Sequence, residues 1–130
     1  MAMQAPARRL TTHQQAVLIQ VLLAFPEQRV EIQTSSSATD AAGYAQNFLA
    51  IFKACRWNVD PDAPRSVSGV ESVESPGLAI VVREDHRVPA GAEALRDALR
   101  IYHVEVGTVC EPDRKIDPGA FILRIGTDPQ

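Results

Sequence analysis

From Ala41 onward, Tyr44, Ala45, Phe48, Leu49, Ile51, Phe52 and Cys55 fall within an arc of roughly 160° when spaced at about 100° per residue. That period predicts the strongest helix of the chain. A first helix is expected from Thr12, with Gln15 completing a capping box, to the break at Pro26. Between the two, Arg29 to Thr34 sets Val30 and Ile32 against Glu31 and Gln33, the period of two of a strand with unequal faces. Ser37 to Asp40 reads as the capping start of the second helix, and Trp57 to Val59 as a short strand after it.

Gly77 to Val82 is a continuous apolar, largely β-branched run, as expected of a central strand covered on both faces. Pro89 suits the first turn of a third helix carrying Ala92, Leu95, Ala98, Leu99 and Tyr102 on one side. Strands around Val104 to Val109 and Phe121 to Ile125 complete the set. Two segments lack periodicity and read as loops: 60–76, and the proline- and charge-bearing Glu111 to Gly119.

Strands joined through helices specify an α/β fold. The expectation is a three-layer sandwich on a mainly parallel sheet of four to five strands with three helices, in one domain over 11–127 behind a tail at 1–10. The expected strand order is second, first, third, last, with a right-handed first crossover and a switch point between the first and third strands.

Composition supports one compact domain. The chain has 130 residues, 45% of them apolar and 22% charged, which excludes a wholly disordered chain or a disulfide miniprotein. Thirteen basic and sixteen acidic side chains leave a net charge of −3, so no nucleic-acid partner is predicted. Cys55 and Cys110 form no CxxC pair, and His13, His86 and His103 are scattered; two thiols in a reducing compartment are expected, with no metal and no cofactor. The apolar run Ala16 to Phe25 is shorter than the roughly 20 residues a membrane helix needs, and no small-x-small cleavage pattern follows it. A cytoplasmic chain is the expectation, membrane-associated where it forms part of a longer protein.

Several stretches share a pattern known elsewhere: Arg29-Val-Glu-Ile-Gln-Thr34, Asp40-Ala-Ala-Gly-Tyr-Ala45, Phe48-Leu49, Ala54-Cys-Arg-Trp57-Asn-Val59, Pro76-Gly-Leu-Ala-Ile80, Ala94-Leu95, Ala98-Leu99 and Ile122-Leu-Arg-Ile-Gly126. Together they resemble a small uncharacterised bacterial α/β domain, often found following predicted transmembrane helices. The resemblance spans most of the chain and consists of core and turn positions. It implies the fold and a membrane-associated partner, and it carries no catalytic residue. Cys55-Arg56 stands where Ala-Gly is the commoner helix ending in that domain.

Two candidate sites remain. At the expected switch point, Ser35, Ser36 and Ser37 after the first strand and Arg83 and His86 after the third would converge on a small anionic ligand at a helix N-terminus. Capping by Ser37 and surface pairing of Arg83 with Glu84 or Asp85 explain the same residues without a ligand. On the first helix, Val17, Leu18, Val21, Leu22 and Phe25 occupy an arc of about 140°, leaving Ile19 and Leu23 as an extra i, i+4 stripe for a second subunit or for a neighbouring helix. There is no GxGxxG, no GxSxG and no set of residues in complementary catalytic roles. The expected function is a non-enzymatic interaction or sensory module, self-associating as a homodimer through the first helix. The alternative is a nucleotide- or small-anion-binding domain, with or without hydrolysis.

Overall fold

A computed structural model describes residues 9–35, 40–67, 77–83, 88–111, 116 and 119–126. The elements run α1 (Thr12–Leu22), β1 (Arg29–Ser35), α2 (Ala41–Ala54), β2 (Asn58–Val59), β3 (Arg65–Val67), β4 (Leu78–Val82), α3 (Ala90–Ile101), β5 (Val106–Cys110) and β6 (Ala120–Ile125). This is an α/β sandwich on a mainly parallel sheet, with β1 parallel to β2, β3 and β6, and β4 parallel to β5. β3 lies in what reads from the sequence as a loop.

The strand order corrects the expectation. It is β2-β1-β6-β4-β5, with β3 also on β1, and β6 runs antiparallel to β4. The reason is burial: Phe121 to Ile125 is covered along its whole length, so the strand needs a neighbour on each side and a layer on each face. The sheet therefore consists of two β-α-β units, β1-α2-β2 and β4-α3-β5, pointing in opposite directions and joined through β6.

All three described helices pack on one sheet face. Their buried residues form one core with Val30, Ile32, Leu78, Ile80, Val82, Val106, Phe121, Leu123 and Ile125, the alternate positions of the strands. On the other face the described residues contribute a small cluster of Val81, Ile116 and Ile122, flanked by Val109 and Ala120.

Local chemistry sets the helix ends. Thr11, one residue before the expected cap, takes the α1 N-terminus in a capping box with Gln14, while Gln15 donates to the Leu10 carbonyl instead. The α2 start capped from Ser37 lies outside the described residues; Asp40 stands at the N-cap position without a side-chain capping bond. α2 ends in a left-handed residue, Arg56, at φ 62°. The Arg56 N–H donates to Lys53 O and that of Trp57 to Phe52 O, and the Trp57 ring stacks on Phe52 at 4.8 Å. These are the two bonds and the apolar contact of a Schellman motif, made without glycine. α3 ends alike: His103 is at φ 61°, His103 N–H donates to Arg100 O and Val104 N–H to Leu99 O.

Trp57 ties three elements together. Its indole N–H donates to Leu22 O at the end of α1, its face stacks on α2, and its ring meets Phe121 of β6 edge-on at 5.9 Å. At the opposite end of α1, the Leu10 N–H donates to Asn47 Oδ1 of α2.

A non-glycine residue pays about 1–2 kcal/mol for left-handed backbone, partly offset by the roughly 0.5–1 kcal/mol of chain entropy that glycine loses. Arg56→Gly and His103→Gly should therefore each stabilise the fold by about 0.5–1 kcal/mol in urea unfolding. Destabilisation by both would contradict this account of the helix ends.

Candidate functional site

The register disperses the expected anion site. Thr34 is level with Ile125 of β6, and Ile125 with Leu78, the first residue of β4; Arg83 follows Val82 at that strand's other end. At about 3.3 Å per residue, Ser35 and Arg83 lie roughly 15–20 Å apart along the strands. Ser35 is buried and Arg83 exposed. Ser36, Ser37 and His86 lie outside the described residues, as do Glu84 and Asp85. No switch point separates β1 from β4, because β6 occupies that place.

The apolar stripe of α1 is divided. Ile19 is half-buried and packs against the main core, and its carbonyl lies 3.5 Å from Cys55 Sγ of α2. Leu23 is 47% exposed and Val21 38%. The Ile19 side of the helix thus belongs to the junction with α2, which lies parallel to it from Leu10–Asn47 to Leu22–Trp57. Burial pushes the Cys55 thiol above its ordinary value, which keeps it protonated and unreactive.

Two features of the sheet's second face were not foreseen. The first is an ion pair between a buried guanidinium and a partly exposed carboxylate. Arg124 is 2% exposed, and its guanidinium donates to both carboxylate oxygens of Glu111, at 2.7 and 3.2 Å, with weaker contacts of 3.4 Å to Gln33 Oε1. Gln33 faces Arg124 across β1, while Ala79 of β4 and Gly107 of β5 continue the row on the other side.

The second is an open groove of about 410 Å³ beside β2, β1 and β6. Arg29, Glu31, Asn58, Asp60, Ile116 and Ile122 are among its lining. Arg29 and Glu31 share one face of β1 by alternation, and Asn58 sits level with Arg29. Asp60 is positioned by its N–H, which donates to Val30 O, and by its carboxylate, which accepts from the Asp62 N–H at 2.9 Å. Arg29, Glu31 and Asp60 all have interaction partners within the protein.

The corner below the groove depends on Gln28, whose amide donates to Gly119 O and Arg29 O and so joins the starts of β1 and β6. A Cβ on Gly91 of α3 would stand 2.8 Å from its Oε1, so a larger residue there would displace the Gln28 side chain. Alternation in β1 signals which of its residues share the groove face, and the strand-helix-strand pattern places β2 beside β1; nothing in the sequence signals that β6 lies on the other side.

Among the described residues no group of three or more His, Cys, Asp or Glu is placed to hold a metal ion, and no helix is long and apolar enough to cross a membrane.

Removing one partner of a buried ion pair leaves an uncompensated charge. Glu111→Ala should cost about 2–4 kcal/mol in chemical denaturation, while the double variant Glu111→Leu/Arg124→Met recovers most of that loss. A double variant no more stable than Glu111→Ala would show that the pair does not act as a unit. No family model, curated protein or solved structure matches the chain, so its chemistry is read from its own residues.

Proposed function

We propose that the protein is a non-enzymatic interaction or sensory module that binds a small zwitterionic ligand in the groove on the sheet face opposite the three described helices. The observation carrying this reading is the groove's lining: a guanidinium, two carboxylates and a primary amide beside the apolar Ile116 and Ile122. Its volume of about 410 Å³ lies within the range of small-molecule sites. Arg29, Glu31 and Asp60 already interact within the protein, and the lining carries both signs of charge, which a zwitterion matches better than a ligand of one sign. The expected anion site has no comparable support, since the register separates Ser35 from Arg83.

The test is thermal unfolding of the full chain against α-amino acids, dicarboxylates and polyamines. A ligand at 100 times its dissociation constant stabilises by about 2.7 kcal/mol. At least one amino acid is expected to raise the Tm, and Asn58→Trp, which fills the groove, to abolish the rise. Stabilisation by dicarboxylates alone, or a rise retained in Asn58→Trp, would overturn the reading.

A further inference from the structure

We infer that two copies of the chain associate through the edge of β5 that pairs with no other described strand, extending the sheet antiparallel across a two-fold axis at Thr108, with the α3 helices side by side above it. This inference is independent of the groove. It starts from an edge strand that lacks the usual protection. Val106-Gly-Thr-Val-Cys110 contains no charge and no proline, and its Gly107, Thr108 and Cys110 are exposed. Natural edge strands are commonly blunted by such residues or by bulges, because their unpaired backbone groups template pairing with another chain.

The direction of those groups follows from the β4 ladder. The Glu111 N–H donates to Val82 O, so by alternation Val109 and Gly107 also face β4. Val106, Thr108 and Cys110 then present their N–H and C=O groups outward. Antiparallel pairing centred on Thr108 sets Thr108 opposite Thr108 of the second copy and Val106 opposite Cys110, giving about six backbone hydrogen bonds.

The helix above carries a matching pattern. Glu93, Arg96, Asp97 and Arg100 follow i, i+3, i+4, i+7 spacing and so share one side of α3. The hydrogen bond from Arg96 Nη1 to Thr108 Oγ1, 3.3 Å, places the middle of this pattern over the middle of the strand. A two-fold axis there sets Glu93 opposite Arg100 of the second copy and Arg96 opposite Asp97, each an attractive pair. Arg96 Nε is buried without a hydrogen-bond partner, and the Asp97 carboxylate of its own helix stands 3.7 Å away. One contact opposes association: Glu105 comes level with Glu111 of the second copy, where Arg124 already neutralises the Glu111 charge.

Sedimentation equilibrium of the full chain over a range of concentrations and salt tests the inference. A dimer is expected, and Arg100→Glu should weaken it at least about tenfold by opposing two carboxylates twice per dimer. The swap Glu93→Arg/Arg100→Glu should restore it, a rescue that damage to the fold would not produce. Thr108→Cys in a Cys110→Ser background should form an intermolecular disulfide under mild oxidation, since opposed residues in a hydrogen-bonded pair have Cα atoms about 5.5 Å apart. A monomer at all concentrations, or a dimer indifferent to Arg100→Glu and not cross-linked through position 108, would overturn it. Loss of the Arg100→Glu effect in Val21→Glu/Leu23→Glu would instead place the contact on α1 and would equally refute the β5 edge.

Discussion

β6 carries the main constraint on this fold. It is paired on both sides, with β1 running alongside it and β4 running against it, and it is buried on both faces. Among the described strands, the two β-α-β units are hydrogen-bonded into one sheet only through this strand. Its alternation also divides the labour between faces: Phe121, Leu123 and Ile125 enter the helix-side core, while Ile122 and Arg124 turn to the other side. An arginine in the middle of a doubly covered strand is costly unless its charge is met. Glu111, at the end of β5, meets it with a bidentate contact and thereby ties the sheet's far edge to its centre.

The same arrangement determines what each surface offers. On the helix side, α1 lies between α2 and α3, held by Trp57 and Asn47 on one flank, so much of its apolar surface is used within the chain. On the second face, the reversal between β6 and β4 puts the carboxyl ends of β1 and β4 at opposite ends of the sheet. That removes the crevice usual in open parallel sheets and leaves a groove along β2, β1 and β6. The β5 edge stands at the other extreme, beneath a helix whose charges repeat in a self-complementary order.

Much of the architecture was legible because apolar spacing depends on local periodicity. The three helices, the strands at 29–35, 58–59, 78–82, 106–110 and 120–125, and the mainly parallel α/β class all follow from it. Strand order does not, because a fully buried run such as Phe121 to Ile125 says that it has two neighbours without naming them. Placing that strand at the sheet's end made Ser35 and Arg83 look adjacent. β3 is not legible in the sequence, because a three-residue strand is too short to carry a period. The Schellman ending at Arg56 shows the reverse: the Phe52–Trp57 contact and two hydrogen bonds hold a left-handed residue where composition alone does not call for one. Arg124 reads in sequence as an interruption of a strand, and only the register reveals the glutamate that answers it.

The groove and the separation of Ser35 from Arg83 both depend on β6 lying between β1 and β4. Backbone proton contacts measured by NMR on the labelled chain test this directly. Neighbouring strands are about 4.8 Å apart, and strands separated by one other about 10 Å. Contacts are predicted between Ile80 and Leu123 and between Ile32 and Leu123, in the registers given above, with none between Ile32 and Ile80. Contacts joining Ile32 directly to Ile80, with β1 beside β4, would contradict the account.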